Sequence, residues 1–288
     1  MKHLKNIIGL AAAILAFWGM YTYMLPQDGA GQEEFSCPDS FACAGCDSTM
    51  TAEEALDIMS RLELPQWTRT DTTEIVDHMG YMVNYNKTLL IPEWVAYRLS
   101  EFEVNGHASR SSKFRPDPDI SCIQACDSDY RNSGWDRGHM APAADMKWST
   151  QAMYESFYLT NVCPQNSNLN RGDWKELEDK VRELALKYHD VYVVCGPVVN
   201  ACEFGKIGAN GVTVPDAFFK AIMVQTGKAE YSAVGFIMAN RAGNRPLSSY
   251  AVPVDSVEAY TGLDLFHNLP DVLEEKVESV VDFSVWGL

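Results

Sequence analysis

Positive charge is scarce in this chain. Lysine and arginine total 23 against 39 aspartates and glutamates, leaving a formal net charge of −16 over 288 residues. A protein that reads nucleic-acid sequence neutralises many phosphates with a basic face, so that class is disfavoured. An enzyme acting on a polyanion needs less, only local positive charge at the point of attack. Internal repeats and low-complexity tracts are also lacking. No second Cys-x-x-Cys pair follows Cys43-Ala44-Gly45-Cys46, which argues against a zinc or redox motif there. No small-residue cleavage site directly follows the N-terminal apolar run, although Gly29-Ala30 is a candidate farther on.

That apolar run extends from Ile7 to Leu25 behind Lys2 and Lys5. A cationic start, an apolar middle and a polar sequel read as a signal peptide or an N-terminal signal anchor over residues 1–25. The run is long enough to span a bilayer, which takes about 20 residues. It predicts an exported protein: periplasmic, anchored to the membrane through residues 7–25, or extracellular. All eight cysteines follow the run, and an even count in an exported protein favours disulfide bonds. Near pairs such as Cys122/Cys126 and Cys195/Cys202 suggest themselves, as does Cys37 with Cys43 or Cys46; the connectivity stays open.

Residues 26–67 read as a linker or disulfide-tied segment containing a short helix, Thr51 to Leu62, capped by Thr51 and Glu54. Residues 68–288 form the main domain, and an apolar content of 47% supplies its core. Two-residue alternation predicts strands over Val76–Tyr85 and Glu93–Leu99, around an Asn-Lys-Thr turn. Arg110 to Asp129 reads as a long loop. Ser149 to Phe157 predicts a short helix, with Tyr158 to Val162 extended after it. Gly172 to His189 is the clearest helix, with Trp174, Leu177, Val181, Leu184 and Tyr188 on one stripe and Asn170 at the N-cap position. Asp190–Cys195, Phe218–Thr226 and Tyr231–Ala239 read as strands, and Pro270–Val281 as a helix. The sum is an α+β domain with an antiparallel sheet core and packed helices.

One run carries the chemistry: Trp135-Asp136-Arg137-Gly138-His139-Met140-Ala141-Pro142, followed by Asn161, Asn170, Glu178 and Arg182. Arginine matches phosphate with a fork of donors. Histidine can take a proton from water near neutral pH. Asparagine offers a neutral oxygen to a hard cation such as Mg²⁺. Together they suit metal-assisted attack on a phosphodiester.

Asp136-Arg137-Gly138-His139, Tyr158-Leu159-Thr160-Asn161-Val162-Cys163-Pro164-Gln165, Leu169-Asn170, Trp174 and Leu177-Glu178 occur as spaced blocks in one order. In this the chain resembles the DNA/RNA non-specific endonuclease family, from about Thr68 onward. The resemblance implies a ββα-metal active site hydrolysing DNA and RNA with little sequence preference. It implies His139 as general base and Asn170 as direct ligand of Mg²⁺, with Mn²⁺ as a substitute. Asn161 would orient the histidine or the metal's waters, and Glu178 would hold metal-bound water. Eight residues of unbroken helix, about 12 Å, would separate Glu178 from Asn170. Arg137 and Arg182 would contact phosphate, joined by either Arg110 or Arg115. Some members of the family pair as homodimers. Two other readings stay open: an inactive nucleic-acid-binding or surface interaction protein, and a phosphodiesterase for small nucleotides.

Overall fold

The alternating stretches assemble into one large antiparallel sheet. The computed structural model describes residues 60–68, 70–111 and 113–288, all within one compact unit, Cys43–Leu288. The elements run β1 (Thr73–Asp77), β2 (Met82–Asn86), β3 (Ile91–Ser100), α1 (Glu101–Val104), α2 (Asp127–Tyr130), β4 (Asp136–His139), α3 (Thr150–Glu155) and β5 (Val162–Gln165). They continue with α4 (Ser167–Arg171), α5 (Asp173–Tyr188), β6 (Asp190–Val198), β7 (Lys206–Ile207), β8 (Val212–Thr213), β9 (Ala217–Gly227) and β10 (Glu230–Ala239). Last come β11 (Ala251–Val252), α6 (Val254–Thr261), α7 (Asp271–Glu278) and α8 (Phe283–Trp286).

Seven strands form the sheet in the order β1-β2-β3-β6-β9-β10-β11. Side chains alternate across it, and both faces are covered. On β9, Phe218, Ile222 and Val224 face the helix α5 through its buried Trp174, Leu177, Val181 and Leu184. Phe219, Ala221 and Met223 face the opposite way, onto Val254 and Val257 of α6 and Val277 of α7. Each such side chain contributes roughly 1.5–3 kcal/mol on burial, so the two layers together fix the sheet. A separate hairpin of β4 and β5 lies on the α5 side, joined to α4 and α5 by the chain.

Several local expectations need correction. The stretch Val76–Tyr85 is not one strand: the chain turns around Met79-Gly80, where the His78 N–H donates to the Tyr81 carbonyl at 2.9 Å. The Asn-Lys-Thr segment does turn, and Asn86 Oδ1 accepts from the N–H groups of Thr88 and Leu89, both at 2.9 Å. Tyr158–Val162 is a 3-10 turn over Leu159–Asn161 rather than extended chain. Asn170 does not cap the long helix. It lies within the short helix α4, one residue before its end at Arg171, and the cap of that helix is Asn166, accepting from the Asn168 and Leu169 N–H groups.

The disulfide expectation fails for the described cysteines. Cys122, Cys126, Cys163, Cys195 and Cys202 are free thiols. Cys195 is buried inside β6 and its thiol donates to the Met140 carbonyl at 3.3 Å, whereas Cys202 lies exposed on the loop beyond that strand. Cys37, Cys43, Cys46, most of the Thr51–Leu62 helix and the apolar run over residues 7–25 lie outside the described residues. Among those described, no helix is long and apolar enough to cross a membrane.

Candidate active site

β4 and β5 pair in antiparallel register, with Gly138 opposite Cys163 and His139 opposite Val162. Gly138 is glycine for a steric reason: a Cβ there would lie 2.1 Å from Gln165 Oε1. His139 thus ends a short strand whose partner segment carries Asn161. Asn161 is wholly buried and spends its amide on the chain just after the histidine. Its Oδ1 accepts from the Ala141 N–H at 2.8 Å, and its Nδ2 donates to the carbonyls of Ala141 at 2.8 Å and Ser156 at 2.9 Å. The Met140 N–H adds a bond to the Asn161 carbonyl at 3.0 Å. The side chain therefore does not reach the pocket, and any influence on His139 runs through the backbone at Met140 and Ala141. Asn161→Leu is expected to break three buried hydrogen bonds and destabilise the fold by about 3–5 kcal/mol, at roughly 1–3 kcal/mol for each group left unpaired. A urea unfolding midpoint unchanged from the parent would contradict this.

The helix break explains how Asn170 and Glu178 meet. Gly172 separates α4 from α5, with φ −106° and ψ −113°, and a Cβ there would lie 2.5 Å from the Asn168 carbonyl oxygen. The two residues thus sit on successive helices rather than on one unbroken helix. Both residues line one cleft of about 260 Å³ together with Arg110, Arg137, His139, Arg171, Lys175 and Arg182.

His139 is 9% exposed and stands between two rings, with Phe114 at 5.2 Å and Phe157 at 4.9 Å between centroids. Its Nε2 has no hydrogen-bond partner among the described residues. Burial, then the nearby Arg110 charge, lowers its pKa to about 3, so the ring is neutral at pH 7.

Asn170 Nδ2 donates to Asp136 Oδ2 at 3.0 Å. That bond fixes the amide plane and leaves Oδ1 as the atom available to a cation. Asp136 is a hub that also accepts from Ser167 Oγ at 2.9 Å and from Arg171 Nε at 2.9 Å and Nη2 at 3.0 Å. Burial works to raise the Asp136 pKa, but these bonds outweigh it and hold the group below the ordinary carboxylate range. Glu178 behaves oppositely. Burial raises it to about 7, with Lys220 and Arg182 pulling down and Asp145 pushing up. A free carboxamide oxygen and an incompletely compensated carboxylate, with no thiol in the lining, fit a hard, partly hydrated divalent cation.

The arginines divide. Arg182 donates to the buried Asp145 at 2.6 Å and also pairs with Asp179. Nη1 and Nη2 each donate to a carboxylate, while the side chain lines the cleft and brings its charge there. Arg137 lies 2.8 Å from Asp127 and donates to the Asp127 carbonyl at 2.9 Å, so its partner is not the neighbouring Asp136. Of the two loop arginines, Arg115 stacks 3.5 Å over Tyr154 and donates to the Lys113 carbonyl and Ser111. Arg110 lines the cleft, 5.4 Å from the Phe157 ring centre, and has no carboxylate partner among the described residues.

Sequence reasoning missed Arg171, Lys175, Phe114, Asp145 and Lys220. Lys220 is fully buried on β9, 4.7 Å from the Trp174 ring centre, with no hydrogen-bond partner for Nζ among the described residues. Only the odd lysine in the apolar strand Phe218–Val224 could have signalled it.

The family model for DNA/RNA non-specific endonucleases matches residues 62–272. This chain belongs to that family. Over 212 residues it is 38% identical to "Nuclease EXOG, mitochondrial" of Xenopus laevis, covering 68% of this chain and 59% of the frog protein. Over 220 residues it is 32% identical to "Endonuclease G, mitochondrial" of Bos taurus, covering 72% and 74%. A solved structure of EndoG in complex with EndoGI superposes with a TM-score of 0.67 at 29% identity, covering 78% of this chain and 96% of that one. The fold is that of the ββα-metal nucleases, with β4, β5 and α4 as the motif. The match spans about three fifths of the frog relative's length.

These relatives overturn the expectation of an exported protein, since both are mitochondrial by name. The physical reason is plain: a cationic start and an apolar run describe affinity for a membrane and do not say which one.

Proposed function

We propose that this chain is an endonuclease that depends on a divalent metal and hydrolyses phosphodiester bonds of DNA and RNA with little sequence specificity. The observation that carries the reading is the meeting, in one cleft, of His139 with its unpartnered nitrogen and the oriented oxygen of Asn170. His139 is the general base and receives a proton from the attacking water at Nε2. The neutral ring, held between Phe114 and Phe157, is in the state that can accept it. Asn170, through Oδ1, would hold a divalent cation such as Mg²⁺, with Glu178 positioned to orient water beside it. A divalent cation bound there supplies Lewis acidity at a phosphate oxygen and charge for the departing 3′ oxygen. Arg110, without a carboxylate partner among the described residues, holds the scissile phosphate, and Arg137 and Arg171 add charge beside it. Asp136 keeps Asn170 in position and carries no proton.

Local charge reconciles an acidic chain with a polyanionic substrate. Among the described residues, five cationic side chains line the cleft beside Glu178: Arg137, Arg171, Lys175 and Arg182 are paired with aspartates, and Arg110 has no carboxylate partner there. Contacts limited to phosphates and a metal carry no base information, so cutting is expected to ignore sequence.

The test is digestion of supercoiled plasmid and of a structured RNA in Mg²⁺, in Mn²⁺ and in excess EDTA. Both substrates are expected to be cut internally in either metal, and EDTA is expected to abolish cutting. Binding without cleavage in both metals would favour an inactive binding module. Hydrolysis of a dinucleotide without that of plasmid would favour a small-nucleotide phosphodiesterase.

A further inference from the structure

The sheet face opposite the cleft carries a feature that the nuclease chemistry does not use. Asp255 and Glu258 of α6 and Glu278 of α7 each direct one carboxylate oxygen into a common space, where those atoms lie within 4.8 Å of one another. Asp255 is exposed and Glu258 half-buried, but Glu278 is only 4% exposed. Glu258 accepts from the Leu265 N–H at 2.6 Å through Oε1. Glu278 Oε1 is buried and has no hydrogen-bond partner among the described residues.

The charged groups acting on Glu278 are all acidic: Glu258, Glu274, Asp255 and Asp264. Burial and this repulsion raise Glu278 to about 9. A surface cluster of acids can be left to water. A buried carboxylate with an orphaned oxygen, held against two others by the packing of helices on β10, either keeps a proton or takes a cation. Val254, Val257 and Val277 hold those helices to the sheet, so the carboxylates cannot simply separate.

We infer that Asp255, Glu258 and Glu278 form a second, structural cation site that takes Ca²⁺ and ties α6 to α7. An all-oxygen set of three carboxylates that can bind through one or both oxygens suits the larger, geometrically tolerant ion. The exposed side at Asp255 leaves room for water ligands. Binding to the folded chain alone stabilises it by mass action. The site is independent of the cleft, so its failure would leave the nuclease reading untouched.

The experiment measures equilibrium Ca²⁺ binding and thermal unfolding of the full chain at neutral pH. Four proteins are compared: the parent, Glu278→Gln, Asp255→Asn and Asn170→Ala. At Ca²⁺ roughly 100 times its Kd, the parent and Asn170→Ala are expected to melt about 5–10 °C higher than in EDTA. Glu278→Gln and Asp255→Asn are expected to lose this increment and one bound Ca²⁺ per chain. In EDTA, Glu278→Gln is expected to melt no lower than the parent, because without a cation the Glu278 carboxyl is protonated at neutral pH and the amide replaces a neutral group. Should Glu278→Gln fail to fold, Asp255→Asn, altered at an exposed position, decides the matter. Parent-like Ca²⁺ increments and binding in both carboxylate variants overturn the site, as does loss of the increment in Asn170→Ala.

Discussion

Replacing His139 with alanine is expected to slow plasmid cleavage by at least about 10²–10⁴-fold, the usual worth of a positioned proton acceptor. Among the described residues, the cleft lining holds no other histidine and no cysteine or tyrosine to substitute. Glu178 is the one other titratable acceptor in it, and burial raises it to about 7. The alanine leaves a gap between Phe114 and Phe157 shaped for an imidazole. Added imidazole is therefore expected to restore part of the rate, which loss of fold could not mimic. Undiminished cleavage by the alanine variant would dismiss His139 as the base.

The same substitution changes acid stability in a defined direction. The folded protein holds His139 at about 3, below the roughly 6.5 of an unfolded histidine. The unfolded chain therefore binds the proton first. Stability tied to the neutral ring is complete above about pH 6.5 and is lost as pH falls toward 3. The alanine variant lacks this dependence, so its unfolding midpoint is expected to fall less steeply than the parent's over that window. Parallel pH profiles would mean that the ring is not held neutral by burial.

Much of this site was legible because its residues sit in short blocks with distinct chemistry. His139, Asn170 and Glu178 come from one strand end and two consecutive helices, and each could be named without knowing the fold. The long helix was legible from its stripe, since Trp174, Leu177, Val181 and Leu184 face one layer. What sequence spacing could not convey was where the polar ends go. Arg182 and Arg110 look alike as phosphate ligands in sequence, and only the structure shows that Arg182 pairs with the buried Asp145 from a distant loop. Asn161 looked like a site residue, yet three hydrogen bonds turn it inward. The break between the helices of Asn170 and Glu178 escaped notice because a helical pattern runs through Gly172 without showing it. Cysteine parity misled because thiols in a folded core need no partner: Cys163 and Cys195 are simply buried.

Replacing Asn170 with alanine is expected to be nearly as damaging as losing the histidine, for a different reason. In the proposed reading the carboxamide oxygen is the protein's ligand to the cation, and Glu178 acts only through water. Loss of the ligand is expected to raise the Mg²⁺ concentration for half-maximal cleavage by at least about tenfold, and to lower the rate at saturating metal by about 10²-fold or more, by analogy with removal of one electrostatic donor to a developing charge. Asp136→Ala provides the matching control. It keeps the Asn170 oxygen but removes the acceptor that fixes the amide at 3.0 Å, along with both Arg171 bonds. Its Mg²⁺ requirement is expected to rise while the saturated rate recovers more fully than in Asn170→Ala, because the ligand is misaligned rather than absent. An Asn170→Asp variant separates charge from geometry: it retains an oxygen in place but sets a carboxylate against Asp136, so like-charge repulsion disrupts the anchor. It is expected to favour Mn²⁺ over Mg²⁺ and still fall well short of the parent. If Asn170→Ala digests plasmid at the parental rate with a parental Mg²⁺ midpoint, the metal is held elsewhere in the cleft and the role given to this residue is wrong.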